Sequence, residues 1–101
     1  MPHPKINFQR ERIEAFCSKW KIKEMAFFGS VLREDFRPDS DIDVLVSFEP
    51  GGGTTFDNRE EMQDELAEIF GRGVDLVEKD AIRNPFRRHN ILTTREVVYA
   101  A

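Results

Sequence analysis

The feature that most constrains this sequence is a pair of carboxylates placed where a hydrophobic strand should begin. Asp41-Ile42-Asp43 runs directly into Val44-Leu45-Val46. The apolar run belongs in a core, whereas Asp is a poor strand former. Side chains alternate along a strand, so Asp41 and Asp43 are expected to project to the same side. Asp75 repeats the anomaly, set between Val74 and Leu76-Val77. Taken singly, each has an ordinary reading: Asp41 ends a turn, Asp43 is an edge-strand charge, and Asp75 pairs with an Arg. Taken together they describe a sheet with a buried body and an acidic end. If the two strands are neighbours, Asp41, Asp43 and Asp75 meet there. Carboxylates so placed repel one another unless a cation joins them. Oxygen donors of that charge suit Mg²⁺ or Mn²⁺, which keep waters and substrate phosphates in their shells.

The remaining pattern supplies the elements around that sheet. Asn7 to Trp20 is predicted as a helix with Asn7 as its N-cap, because Ile13, Phe16, Cys17 and Trp20 recur at i, i+3, i+4 and i+7. Glu24 to Phe28 reads as a short apolar strand, followed at once by Gly29-Ser30. Val31 to Phe36 then reads as a brief helix and Arg37-Pro38-Asp39-Ser40 as a turn. Asp41 to Phe48 is the clearest strand, and Glu49 to Asn58, with three consecutive glycines, a loop. Arg59 to Phe70 carries Met62, Leu66, Ile69 and Phe70 at helical spacing, and Gly71 and Gly73 end it. Val74 to Val77 is a third strand, Asn84-Pro85 a helix start, and Val97 to Tyr99 a short edge strand. Alternating helices and strands predict an α/β (α+β) fold: a small mixed β-sheet with helices packed on it. Cys17 and the Phe stripe are expected in its core.

Composition narrows the classes of function. A chain of 101 residues is expected to form one domain. Its 19 acidic and 15 basic residues leave a net charge of -4, against the basic excess of a nucleic-acid coat. No apolar run approaches the roughly 20 residues that span a bilayer. A single Cys excludes an intramolecular disulfide and a Cys-rich zinc site, and the simplest setting is a reducing cytoplasm. Arg83, Arg87, Arg88, His89 and Arg95 concentrate positive charge near the end of the chain. They are read either as a solvated helix face or as a rim for an acidic partner or nucleotide phosphates.

Gly29-Ser30 stands where a strand gives way to a helix. Gly permits close backbone approach to a ligand, and a helix start presents free N–H groups to an anion. It is not a Walker A loop, because no Gly-Lys-Ser/Thr follows. Gly29-Ser30, ten intervening residues, Asp41-x-Asp43 and a later strand Asp75 together resemble the nucleotidyltransferase superfamily related to DNA polymerase beta. The likeness is to its minimal branch, the minimal nucleotidyltransferases (MNT). It runs continuously from Phe27 to Val46 and, with Asp75 and the helix order, covers roughly residues 7 to 99. Leu32 and Glu34 depart from the pattern, since many relatives have a small residue and Gly there.

The resemblance implies a polymerase beta-like fold in which Asp41 and Asp43 ligate two metal ions and Asp75 the catalytic one. Gly29 and Ser30 would hold the nucleotide triphosphate, and Arg33 would touch phosphate or partner. It implies a minimal nucleotidyltransferase domain over residues 1–101, with Mg²⁺ or Mn²⁺ as cofactor and ATP as substrate. Larger members add a helical acceptor domain that this length does not accommodate, so the acceptor is expected on another protein. In the minimal family that partner is a HEPN ribonuclease toxin, and the MNT protein is the antitoxin. The expected activity is transfer of AMP from ATP to a hydroxyl of the toxin, a Tyr in that family. No membrane and no direct nucleic-acid partner are expected. The alternatives are a non-catalytic antitoxin that neutralises by binding and a small-molecule nucleotidyltransferase of the aminoglycoside type.

Overall fold

The alternation of Ile42, Val44 and Val46 against Asp43 and Leu45 separates the two faces of the central sheet, and the rest of the molecule is arranged on them. The computed structural model describes residues 8–29, 41–52 and 56–100, the side chains of Phe56 and Asp57 aside. In chain order the elements are α1 (Arg10–Lys19), β1 (Ile22–Phe28), β2 (Ile42–Phe48), α2 (Phe56–Phe70), β3 (Val74–Glu78), a 3₁₀ turn (Lys79–Ala81), α3 (Pro85–Thr94) and β4 (Glu96–Ala100). The four strands form one sheet in the order β3-β2-β1-β4. β1 runs antiparallel to both β2 and β4, whereas β2 and β3 are parallel, connected through α2. This is the mixed sheet the sequence pattern predicts.

Helices cover both faces. Ile13, Phe16 and Cys17 of α1 and Met62, Leu66 and Phe70 of α2 pack on Met25, Phe27, Ile42, Val44, Val46 and Leu76. Phe8, Phe27 and Phe70 meet edge to face, with ring centroids 5.4–6.0 Å apart. The opposite face is thinner: Ile82 and Ile91 close over Ala26, Phe28 and Leu45. α1 and α2 are joined at the surface by Glu65, which accepts from Lys19 Nζ at 3.0 Å and from Trp20 Nε1 at 3.4 Å.

The edge strand β3 is shielded by α2. The Gln63 side chain accepts from the Leu76 N–H at 2.9 Å, and the Arg59 guanidinium donates to the Leu76 carbonyl. Backbone groups that would otherwise template another strand are thereby occupied. On the far side, Arg95 Nε donates to Glu24 Oε2 at 2.8 Å and ties the end of α3 to β1.

Several boundaries differ from the sequence expectation. The N-cap of α1 is Gln9, which makes no side-chain cap, and the helix starts at Arg10. Asn7 and the expected helix Val31 to Phe36 lie outside the described residues. α2 begins at Phe56, so the loop after Phe48 is shorter than its glycines suggest. β2 starts at Ile42, which leaves Asp41 just before the strand. The start of α3 agrees with expectation: Asn84 Oδ1 accepts from the N–H groups of Phe86 and Arg87 at 2.9 and 3.1 Å, with Pro85 in the first turn.

Candidate active site

The parallel register sets Asp43 beside Asp75, and the antiparallel register sets Asp43 beside Phe28, the residue before Gly29. Neighbouring strands lie about 4.8 Å apart, and like charges directly across a ladder are unfavourable. Two carboxylates are therefore held side by side against their electrostatic preference. Both occupy the face that Leu45, Val77 and Phe28 share with α3. Asp43 is half-buried and Asp75 exposed, which puts the pair at the wet end of the sheet.

Gly29 closes this corner. Its φ is +68°, and a Cβ built there would lie 2.5 Å from Asp43 Oδ2. The position thus needs glycine twice over, for the left-handed backbone and for the carboxylate packed against it. Asp41 is arranged differently. Its carboxylate lies against the Cα of Gly73, at the point where the Ile42 N–H donates to the Gly73 carbonyl at 2.9 Å. Among the described residues no group of three or more His, Cys, Asp or Glu is gathered to hold a metal ion. The expected three-carboxylate cluster is thus not preassembled among the described residues, and Asp41 is the member set against Gly73. Asp41 precedes β2, so strand alternation does not dictate its direction. The Asp43–Asp75 pair remains a hard-oxygen donor set of the kind Mg²⁺ or Mn²⁺ takes. Ser30 and Arg33, the other expected phosphate contacts, lie outside the described residues.

In front of Asp43 opens a cavity of about 490 Å³, lined by Phe28, Gly29, Asp43, Phe86, Arg87, Asn90, Ile91 and Thr94. Its volume is in the range of small-molecule sites. Five of the eight lining residues come from α3, and of these the sequence reading singled out Arg87 alone. The signal was available: Phe86, Asn90 and Thr94 recur at i, i+4 and i+8, which places them on one helical face. Of the basic residues singled out there, Arg87 lines the cavity, while Arg88 donates to the Lys79 carbonyl at 2.8 Å and Arg95 pairs with Glu24.

Adjacent carboxylates at a cavity with an arginine on its wall are features that a metal-dependent phosphate-transfer enzyme uses. Comparison with known proteins agrees with that class and narrows it. The nucleotidyltransferase domain model matches residues 10–98. The chain belongs to the nucleotidyltransferase domain family. It is 37% identical over 82 residues to MJ1379 of Methanocaldococcus jannaschii, provisionally named a protein adenylyltransferase, covering 81% of this chain and 82% of that protein. It is 32% identical over 81 residues to the protein adenylyltransferase MntA of Thermococcus cleftensis, covering 80% and 77%. Two solved structures share the fold. A toxin–antitoxin structure with AMP-PNP superposes with a TM-score of 0.72 at 20% identity, over 92% of this chain and 74% of that one. A tri-AMPylated Shewanella oneidensis HEPN toxin in complex with its MNT antitoxin gives 0.64 at 19% identity, over 91% and 70%. Among the described residues no helix is long and apolar enough to cross a membrane.

Proposed function

We propose that this chain is an antitoxin that transfers AMP from ATP to a hydroxyl of a HEPN-class toxin. The observation that carries the reading is the Asp43–Asp75 pair, held in register with Asp43 packed against Gly29 and lining the cavity. Support for the nucleotide and the acceptor comes from the relatives: adenylyltransferases by name, a toxin–antitoxin structure with an ATP analogue, and an AMPylated HEPN toxin with its antitoxin.

In this reading Asp43 and Asp75 would hold Mg²⁺ or Mn²⁺, with Asp41 turning from Gly73 as a third donor. When bound, the metal would lower the cost of the attacking alkoxide and of the departing pyrophosphate. The acceptor oxygen forms a bond to the α-phosphorus as the bond from that phosphorus to the bridging oxygen of the β-phosphate breaks. The hydroxyl proton passes to the Asp75 carboxylate, which is exposed and so open to an incoming acceptor. Gly29 and Ser30 seat the triphosphate, Arg33 adds positive charge around it, and Arg87 adds positive charge further along the cavity wall. A cytoplasmic setting suits the single, buried Cys17.

One observation favours a second reading. Asp41 is set against Gly73, and among the described residues no three acidic side chains are gathered for a metal, as a chain that neutralises its partner by occlusion would tolerate. The two readings separate by intact mass. The purified chain is mixed with its cognate HEPN-class protein and Mg²⁺-ATP, and the partner is weighed. Catalysis requires a gain of one or more AMP groups with the wild type and none with Asp43→Ala. Full neutralisation by Asp43→Ala, with no AMP on the partner in either case, selects occlusion.

A further inference from the structure

The α3 wall of the cavity is chemically graded along its length. Phe86 stands at one end, 86% exposed on a helix whose start is fixed by the Asn84 cap. Asn90 follows one turn later and Thr94 another, while Ile91 anchors the helix by packing into the core formed with Phe28. The direction of the gradient follows from the sheet. Glu96, two residues beyond Thr94, pairs with Phe27 of β1, so the last turn of α3 lies beside the strand end that carries Gly29. Phe86 is then about 12 Å further along the helix axis, at 1.5 Å per residue. The cavity therefore has a polar end built from Gly29, Asp43 and Thr94, an end where an exposed aromatic ring stands beside Arg87, and the Asn90 amide between them.

A single exposed Phe is ordinary on a protein surface. This one differs because it lines the same cavity as the acidic site. A flat aromatic group there has one obvious class of ligand, another flat ring, and base–aromatic stacking is a recurrent use of it. An Asn amide one turn away supplies a donor and an acceptor together, the pair that matches the amino and ring-nitrogen edge of adenine.

We infer that α3 forms the nucleoside wall of this site, with Phe86 stacking on the base of ATP and Asn90 reading its edge. The inference rests on the nucleotidyltransfer reading above and adds to it the residues that decide which nucleotide is accepted. Phe86 and Asn90 are specificity residues and take no part in the chemistry at the α-phosphorus.

The test is equilibrium binding of Mg²⁺-ATP, Mg²⁺-GTP and Mg²⁺-tripolyphosphate to the full chain and its variants. Phe86→Ala is expected to weaken ATP about 5- to 150-fold, the range of one lost base stack, and to leave tripolyphosphate unchanged. Phe86→Tyr restores ATP binding, and Asn90→Ala lowers the preference for ATP over GTP. Because Phe86 is exposed, all variants should melt with the wild type, which circular dichroism checks. Binding of ATP by Phe86→Ala and Asn90→Ala as tight as by the wild type overturns the inference and leaves the nucleotide reading standing. So does equal weakening of ATP and tripolyphosphate, or intact ATP binding with transfer to the partner lost. Failure of the wild type to bind either ATP or tripolyphosphate overturns the nucleotide reading itself, and the inference with it.

Discussion

Replacing Gly29 with Ala separates backbone strain from damage to the site. The φ of Gly29 is +68°, in the left-handed region, which costs an L-residue about 1–2 kcal/mol. The added Cβ would also sit 2.5 Å from Asp43 Oδ2 and 3.3 Å from Asp43 Cγ. Relieving that contact displaces the Asp43 carboxylate, the far end of a short side chain at the end of the sheet. The displaced group is, however, the central carboxylate of the site. Gly29→Ala should therefore lower Tm by about 4–15 °C, as 1–2 kcal/mol does in a domain of this size. It should also abolish stabilisation by Mg²⁺-ATP, which for the wild type amounts to about 2.7 kcal/mol at a hundredfold excess over Kd. Gly71→Ala is the control. Its φ is +72°, with nothing within 4 Å of a built Cβ. It ends α2 by donating to the Ala67 carbonyl at 2.8 Å. It should show the same loss of Tm and keep the full ligand response. Differential scanning fluorimetry with and without Mg²⁺-ATP reads both. Equal ligand responses from the two variants would refute the argument that Gly29 is required by Asp43.

Three further perturbations test the frame around the site. Burial, with a smaller push from the Glu14 charge, raises the Cys17 thiol from 9.0 to about 12. Above about pH 9 the unfolded chain releases this proton first, so stability falls as pH rises towards 12 and is unaffected by this group below 9. Urea titrations should show the wild-type advantage over Cys17→Ala narrowing by about 1 kcal/mol between pH 9 and pH 10; a constant difference would show that the thiol is not held neutral. Asn84→Ala removes the side-chain oxygen that accepts from two backbone N–H groups at the start of α3 and should cost about 1 kcal/mol in chemical denaturation. Breaking the half-buried Arg95–Glu24 pair with Arg95→Met should cost about 1.5–3 kcal/mol, and a double-mutant cycle with Glu24→Gln should recover part of that as coupling.

What could be read from the sequence depended on how far each signal was local. Strand pattern and charge located β2 and β3, and the lateral match of Asp43 and Asp75 followed once the two runs were taken as neighbours. Helix periodicity found the buried faces of α1 and α2, including Cys17, Met62 and Leu66, and the Asn84-Pro85 start of α3. The failures were at ends and on one helix face. A cap depends on the backbone geometry of a few residues, so Asn7 was a reasonable reading where Gln9 is the N-cap. Asp41 obeys the alternation rule only if it belongs to the strand, and β2 begins one residue later. Phe86 was not singled out in the sequence. Its exposure is set by tertiary placement, with Ile91 taking the inward position on that helix.

The central claim is that this site moves the α-phosphate of ATP, with its nucleoside, onto a protein hydroxyl through Asp43 and Asp75. Parallel reactions with ATP labelled at the α- or the γ-phosphate, each with Mg²⁺ and the cognate HEPN-class protein, test it most directly. The account predicts label on the partner from the α-position only, one pyrophosphate released for each AMP transferred, and no label with Asp43→Ala or Asp75→Asn. Label arriving from the γ-position, or α-label persisting in both variants, would contradict it.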